Sequence, residues 1–433
     1  MSILVKPNKT QDYSTYSSLI EMKFSIITPS HKYQTYIEEL YESIVNQTYE
    51  NWEWILYLNG QFKKNQLSNE ILNDKRVKVY ENYNGNTNIG YVKNKAFSIG
   101  TGDILVEVDH DDILTSDCLE ELEKVFRENP ECGFVYSDNA TYHMEDDFGA
   151  YNPLFGWTYR NYDMNGKNLI AMNYFDPSSH SLSYIWYAPD HVRAWRKNIY
   201  HKIGGHNVDL SVCDDHELMI RSYLVTKFHH IPKVLYIYRI TGDNSFLERN
   251  DAIQIKTKEL HNQYTQKLAE RDADLNGLLK IDLGGGLFPR EGYTTIDQTD
   301  GDIICDLNNG IPLKDNSVGV INASHVIEHL KDPIKTMREI HRVLAHGGWA
   351  FIEVPSTEGN GAWCDPTHVS FWNEDSFPYY TNKNKAVFIR NTDIRFSSMR
   401  LETTWWPGTK IAVVNTHLVA LKDGQRFPGP VEI

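Results

Sequence analysis

The sequence has no run approaching the roughly 20 apolar residues that a membrane-spanning helix needs. Its N-terminus, MSILVKPNKTQDYSTYSS, lacks the apolar core and small-residue cleavage site of a secretory signal. A cytoplasmic location is the expectation. Basic residues are in the minority: 43 Lys and Arg stand against 58 Asp and Glu, a net charge of −15. Such a chain does not attract a phosphate backbone through its overall field, so nucleic acid is disfavoured as a partner unless a local basic patch exists. Cysteine is scarce. Cys118, Cys132, Cys213, Cys305 and Cys364 are scattered, odd in number and never spaced C-x-x-C. That pattern speaks against a disulfide framework or a zinc ribbon and fits reduced thiols. Internal repeats and low-complexity segments are absent too.

What is present is globular. The 433 residues suffice for two or three domains. A content of 41% hydrophobic and 23% charged residues belongs to a folded chain. Aromatics at 12% suit clefts that stack on sugars and bases, or equally a Tyr-rich core. Residues 1–22 read as a polar extension. From Lys23 onward FSIITPS, WEWILYLN, RVKVYEN and DILVEVD read as strands, with helices in TYIEELYESIVNQ and YVKNKAFSIG. Strands alternating with helices predict an α/β fold with a mainly parallel sheet. Residues 131–245 read as more irregular. Residues 251–277 read as a linking helix whose charges form a solvated face. At 278 a second α/β unit starts afresh with LLKIDLGGG, YTTID, VGVINASH, the helix DPIKTMREIHRVLA and the strand WAFIEVP. The expected organisation is therefore an extension (1–22), a first domain (23–250), a linking helix (251–277) and a second domain (278–433).

The first chemical signal is ILVEVDHDDIL, which puts Asp109, His110, Asp111 and Asp112 at the carboxyl end of a buried strand. Ligands bind outside the carboxyl ends of strands in open α/β sheets. Clustered carboxylates there repel one another unless a cation sits between them, and hard divalent ions bridge oxygen ligands to phosphates. An acidic loop or helix cap accounts for the same residues, since Asp favours both. CDDHELMIRSYL offers a second acidic pair, Asp214 and Asp215, at a helix start. There a carboxylate can serve as a general base or simply cap the helix.

Together with FSIITPSHKY, SIVNQTYENWEWILYLNG, NIGYVKNKAFSIGTGDILVEVDHDDILTSDCLEEL, GGHNVDLSVCDDHELMIRS and IPKVLYIYRITGDNS, these motifs resemble the family 2 glycosyltransferases of the GT-A fold over roughly residues 23–250. The resemblance implies that Thr28, Pro29 and His31 lie against the base and ribose of a nucleotide-sugar, and that Lys93 and Asn94 sit near its diphosphate or base. It further implies that Asp109 and Asp111 hold Mn²⁺ or Mg²⁺, and that Asp215 deprotonates the acceptor in an inverting transfer. Asn59 stands where the family usually has a base-reading Asp, and it keeps hydrogen-bonding capacity without the charge. Thr241 replaces a frequent His.

KIDLGGGLFPREGYTTID carries the second signal. Glycines after a strand let a ligand approach the backbone, and a carboxylate ending the next strand can accept ribose hydroxyls. With ICDLNNGIPLKDNSVGVINASHVIEHLKDP, REIHRVLAHGGWAFIEVPS and DPTHVSFW, it resembles the class I S-adenosylmethionine-dependent methyltransferases over about residues 278–377. The resemblance implies that Asp282, Gly284 and Gly286 bind the methionine side of S-adenosylmethionine, Asp297 its ribose, and Asp306 and Leu307 its adenine. Ser324 and His325 then face the reaction centre, with His325 a candidate base. Phe288 occupies the family's third glycine position. HVIEH also fits the H-x-x-E-H zinc-protease pattern, but its first His closes a strand and the methyltransferase resemblance covers the segment. His368 is a second candidate base, and a structural role suits it better. The Trp405–Trp406 pair reads as core.

The resulting expectation is a bifunctional enzyme. It transfers a sugar from a UDP-, GDP- or dTDP-sugar to a glycan or other hydroxyl acceptor, and it O-methylates a sugar. Two rivals stand beside this reading. One keeps a single domain catalytic and the other as a binding or scaffold module. The other is glycosylation of a nucleic-acid base, against which the acidic charge argues.

Overall fold

The computed structural model describes residues 21–83, 85–143, 151–241, 248–391, 393–422 and 424–429. All but the last two residues of the polar extension, and residues 242–245 of the YRITGDNS stretch, lie outside them.

The first unit runs β1 (Phe24–Ser30), α1 (Tyr36–Val45), β2 (Trp52–Leu58), α2 (Asn69–Asn73), β3 (Val77–Glu81), α3 (Ile89–Ile99), β4 (Ile104–Glu107), β5 (Ile113–Leu114), α4 (Cys118–Glu128), β6 (Cys132–His143), β7 (Thr158–Met164), β8 (Lys167–Asn173), β9 (Arg193–Arg196), α5 (Lys197–Lys202), α6 (Asp214–Tyr223) and β10 (Lys227–Ile240). Every residue of β1 and β2 is buried, as strands covered on both faces require. The sheet order is β3-β2-β1-β4-β9-β6-β10-β5, with the β7–β8 hairpin attached to β6. The strands β3, β2, β1 and β4 are parallel. Between β1 and β4 the strand order reverses direction, which opens a crevice at their carboxyl ends.

The region that reads as irregular holds the two longest strands of this sheet. β6 and β10 pair in parallel along their length. Polar residues such as Asp138, Asn139, His229 and His230 break the apolar pattern within them. Pro232 falls where the pairing register shifts, between Ile231 and Val234. A bulge is where a sheet tolerates a residue without an N–H.

The helix α7 (Asn250–Leu275) follows, then β11 (Leu279–Leu283), β12 (Thr294–Asp297), β13 (Ile303–Ile304), β14 (Val318–Ser324), α8 (Pro333–Val343), β15 (Leu344–Pro355), β16 (Phe396–Trp405) and β17 (Ala412–Ala420). Their order is β13-β12-β11-β14-β15-β17-β16. The first five are parallel, and β17 is antiparallel to both β15 and β16. The direction of winding reverses between β11 and β14. Trp405 and Trp406 do not fill the core: they are 53% and 46% exposed at the β16–β17 turn.

α7 does more than link. Its Leu260 and Leu268 enter the core of the first unit, and Ala269 and Ala273 that of the second. Its Asp272 accepts the Ser179 N–H (2.6 Å) and the Tyr223 hydroxyl. The seam continues where Trp349 Nε1 donates to Ser179 Oγ (2.8 Å) and His180 Nε2 donates to the Gly347 carbonyl (2.7 Å). Arg426, near the chain's end, returns to donate to the carbonyls of Gly156 and Tyr174 in the first unit. Leu278, Gly319 and Gly347, beside the starts of β11, β14 and β15, line a cavity in this seam with Asp138, Arg160 and Arg426. The seam therefore meets the amino-terminal edge of the second sheet. Among the described residues, no helix is long and apolar enough to cross a membrane.

One buried carboxylate anchors the outer parallel strands. Glu53 on β2 accepts from Lys23 (2.8 Å), Lys78 (2.5 Å), Ser25 Oγ (2.7 Å) and Thr101 N (2.6 Å). Burial alone raises a carboxyl, but these four donors overcome it and hold Glu53 well below the usual range. Its contribution is thus present above the unfolded carboxyl value of about 4.3 and fades as pH falls. Glu53→Gln should cost about 3 kcal/mol at pH 7, the scale for breaking a buried ion pair. Urea unfolding should show the gap to the parent closing below about pH 4.

Candidate active sites

The first site is built around the end of β4. Glu107, its last residue, is fully buried and meets two cations. Lys93 Nζ of α3 lies 2.6 Å from one oxygen, and Arg193 Nη1 of β9 lies 3.4 Å from the other. Lys93 also reaches Asp214 (3.5 Å), and Arg193 pairs with Asp215 (2.7 Å), both at the start of α6. Arg193 Nη2 approaches Asp190 (3.5 Å), which lies 3.0 Å from His191 Nδ1. His191 Nε2 in turn lies 3.7 Å from Asp109 Oδ2. A continuous ionic chain thus joins the two acidic motifs.

Charges within it are set by burial against pairing. Burial works against the cationic form of Lys93 and Arg193, yet the surrounding carboxylates, Asp214 and Glu107 foremost for Lys93 and Asp215 for Arg193, keep both firmly charged. Burial likewise opposes ionisation of Asp215, but Arg193 and Lys93 hold it well below the carboxylate range. Asp214 moves upward because burial dominates. Burial also raises Asp111. Asp112 is buried, accepts from the Tyr236 hydroxyl and the Arg239 N–H (both 2.7 Å), and is raised by burial and by Asp111 and Asp109. It supports the loop instead of facing a ligand.

The residues assigned from the sequence divide accordingly. Asp109 connects to Asp215 through His191, Asp190 and Arg193, and Asp111 follows Asp109 in the same loop, 3.9 Å from His110 Nδ1. His31 meets His110 edge to face (5.7 Å) beside them. Pro29 ends β1 with Ser30, and the Asn59 N–H donates to the Ser30 carbonyl (2.7 Å). The Asn59 carboxamide oxygen is taken by Asn82 (2.9 Å). Three residues serve the scaffold instead. The Thr28 hydroxyl accepts the Trp54 indole N–H (3.0 Å) and is fully buried. The Lys93 ammonium is captured by the buried carboxylates of Glu107 and Asp214. The Asn94 amide donates to the carbonyls of Gly204 (3.1 Å) and His206 (2.8 Å).

His191 is the residue that sequence reasoning missed. It is almost fully buried, stacks on Tyr236 (4.8 Å), and its Nε2 makes no hydrogen bond. Ligand atoms of Glu107, Asp109 and His191 lie within 4.8 Å of one another. An orphaned imidazole nitrogen beside two carboxylates fits a divalent ion. His191 lies in the loop just before β9.

The second site lies at the carboxyl ends of β11 and β12. Gly284 has φ +70°, and a Cβ on it would meet Val326 at 2.5 Å. A Cβ on Gly286 would come within 2.9 Å of Asp297 Oδ2. The loop is therefore a cradle that side chains would fill, which fits a nucleoside ligand approaching the backbone. Asp282 holds this loop from beneath: its carboxylate accepts from Arg290 N (3.0 Å) and Asn322 Nδ2 (2.8 Å). It is buried and does not line the cradle. Asp297 ends β12, and Oδ1 accepts from Thr299 N (2.9 Å), which helps to hold it below the carboxylate range. Asp306 caps the short helical turn that begins at Leu307. Phe288 points outward at 89% exposure and leaves the cradle open. Ser324 ends β14, and His325 follows with φ +51°. The carboxylates of Glu328 and Glu353 (Nε2 to Oε1 3.0 Å) flank His325 and raise it to about 9. Its resting form at neutral pH is the imidazolium, not the free base.

Comparison with known proteins bears on both sites. Residues 25–183 match the family model described as glycosyl transferase family 2, and residues 293–352 match one described as a methyltransferase domain. The chain is 26% identical over 231 residues to a chondroitin synthase of Pasteurella multocida, covering 52% of this chain and 22% of that protein. A hyaluronan synthase of the same species is 26% identical over 229 residues, covering 52% and 21%. An uncharacterized glycosyltransferase of Methanocaldococcus jannaschii is 28% identical over 247 residues, covering 54% and 74%. The chain thus spans about a fifth of the length of the two synthases. Among solved structures, S. aureus TarS in complex with UDP-GlcNAc aligns with a TM-score of 0.43 at 16% identity, covering 58% of this chain and 73% of that chain.

Two substitutions test the geometry. His191→Ala should weaken Mn²⁺ binding in the presence of a nucleoside diphosphate by roughly tenfold or more, measured by calorimetry. Gly286→Ala should raise the dissociation constant for S-adenosylmethionine by about tenfold or more, since the new methyl displaces Asp297. Nucleotide binding at the first site should not change.

Proposed function

For a chain that joins a family 2 glycosyltransferase domain to a class I methyltransferase domain, we propose a bifunctional enzyme that glycosylates a hydroxyl acceptor and O-methylates a sugar. The carrying observation is the ionic chain from Asp109 through His191, Asp190 and Arg193 to Asp215. It joins Asp109, after β4, to Asp215, at the start of α6, which supports reading them as the donor-side and acceptor-side carboxylates of one site.

In the first reaction the donor is a nucleoside diphosphate sugar (UDP-, GDP- or dTDP-linked), bound between the ends of β1 and β4. Pro29, His31 and Asn59 line the base side. Asp109 and Asp111, with Glu107 and His191 beside Asp109, would hold Mn²⁺ or Mg²⁺, which would offset charge on the departing diphosphate. Asp215, kept ionised by Arg193, accepts the proton of the acceptor hydroxyl as it attacks the anomeric carbon and inverts it. Pairing with Arg193 makes Asp215 a weak base at rest, but it guarantees the correct protonation state and orientation. The synthase relatives support a glycan acceptor.

In the second reaction S-adenosylmethionine supplies an electrophilic methyl group. Gly284 and Gly286 admit it, Asp282 fixes the loop, Asp297 takes the ribose hydroxyls, and Asp306 and Leu307 border the adenine. His325 faces the acceptor hydroxyl from the end of β14, with Glu353 orienting its ring. It serves as base from its deprotonated form.

The two activities separate by mutation. Asp215→Asn should lower glycosyl transfer by roughly 10²–10⁴-fold, the range for losing a positioned base, and leave methyl transfer intact. Asp297→Ala should do the reverse. Mass spectrometry of products from a panel of nucleotide-sugars, with and without S-adenosylmethionine, reads both. If one reaction is absent from the parent under every donor, the single-enzyme reading with a scaffold domain replaces this one.

A further inference from the structure

A second cluster of metal-type ligands sits at the carboxyl edge of the methyltransferase sheet. Glu328 lies in the turn Ile327–His329 that follows β14, His329 is its neighbour, and His368 comes from the loop leading to Trp372. One ligand atom of each falls within 4.8 Å of the others. Glu328 is 2% exposed, yet neither carboxylate oxygen receives a hydrogen bond. The nearest nitrogens, His325 Nδ1 at 3.6 Å and His368 Nε2 at 3.9 Å, are too distant for one. A buried carboxylate left this way is costly.

The surroundings prepare the cluster for a cation. His368 Nδ1 lies 3.0 Å from the Ala362 carbonyl. A carbonyl only accepts, so Nδ1 carries the proton and Nε2 turns its lone pair toward Glu328. That is the tautomer a metal-binding histidine needs, fixed by the kind of outer partner that metal sites use. His329 Nδ1 is engaged by Thr367 (Oγ1 at 3.1 Å). The two segments are bolted together: Val369 N and Ser370 N both donate to the Glu328 carbonyl (2.9 and 3.0 Å), and Ser370 Oγ donates to that of Ile327 (3.0 Å). Asp365, 3.9 Å from His368 Nε2, is within reach as a further oxygen donor. The gap of 3.9 Å between His368 and Glu328 needs only slight closing, since ligands about 2.0–2.2 Å from one ion sit roughly 3.3 Å apart.

We propose that Glu328, His329 and His368 bind a divalent transition-metal ion of the Zn²⁺ class, as a His₂–carboxylate site with open positions. Those positions suit a hydroxyl oxygen, because a bound cation acidifies it. This acceptor role rests on the methyl-transfer reading above, whereas metal binding itself does not. The site uses the HVIEH segment in a different way from a protease: its first His remains outside the ligand set, and His368 supplies the third ligand from a distant loop.

The test is Co²⁺ titration of the full-length protein without nucleotide, read by visible absorption, together with thermal unfolding with and without Zn²⁺. The parent should gain d–d bands saturating at one equivalent and a higher unfolding temperature in Zn²⁺. Glu328→Gln and His368→Ala should each weaken Co²⁺ binding at least tenfold and remove the Zn²⁺-dependent stabilisation. Glu328→Gln without metal should remain folded, because the Glu328 carboxylate receives no hydrogen bond for the variant to lose. An Asp109→Asn/His191→Ala double variant should keep the bands. Bands that survive in both Glu328→Gln and His368→Ala, or that never form, overturn the site. Methyl transfer without a Glu328-dependent signal overturns the site alone. A Glu328-dependent signal in a protein that transfers no methyl group leaves the site standing and overturns the functional reading.

Discussion

The first site depends on one buried carboxylate. Glu107 closes β4 with no exposure, where an isolated charge is prohibitive. Lys93 and Arg193 make it tolerable, and each has a second partner on α6. The strand that leads into Asp109 and Asp111 and the helix that carries Asp214 and Asp215 are therefore linked through the same pair of cations. Neutralising Glu107 leaves both cations under-compensated, so damage at β4 reaches α6 without any direct contact between them. Such fixed charges cost no reorganisation when the reaction begins. The carboxyl groups Glu107, Asp109, Asp190, Asp214 and Asp215 outnumber the two permanent cations, Lys93 and Arg193.

What was legible in the sequence follows from how local each signal is. The acidic motif after β4 and the glycine loop after β11 are contiguous, and each follows an apolar run that only a buried strand explains. Both lie at strand ends beside a switch point. Lys93 and Asn94 are equally local, yet their roles are not: which groups capture a lysine depends on the carboxylates brought up by β4 and α6. His191 and Arg193 were hidden for a related reason. Arg193 opens the four-residue strand β9, inserted antiparallel between β4 and β6, and His191 lies in the loop just before it; no periodicity marks a strand that short. The long strands β6 and β10 were masked by polar residues that they bury in pairs, as where Asp138 accepts from His230 (2.8 Å).

The same distinction applies in the second unit. The sequence places Asp282 at a strand end, but it does not say that two donors, Arg290 N and Asn322, absorb its carboxylate and turn it into a loop support. Nor does it say that His325 lies between two carboxylates. A histidine at a strand end reads as a base; between Glu328 and Glu353 it holds its proton until about pH 9. Trp405 and Trp406 depart from expectation because a turn between two antiparallel strands projects its residues past the sheet that would otherwise cover them.

The placement of the seam constrains how two reactions can be coupled. The first unit packs on the amino-terminal edge of the second sheet, at Gly347 and Trp349. The methyl-transfer residues stand at the opposite edge, after Leu283, Asp297 and Ser324. A small product released at the first site thus has no direct path across the seam into the second. A long acceptor is different, since its end can leave one cleft and reach the other while the remainder stays associated, and tethering raises its effective concentration there. The seam built by α7, His180 and Arg426 separates the two clefts. On this architecture, an acceptor that visits both clefts must be extended and chain-like, not a free monosaccharide.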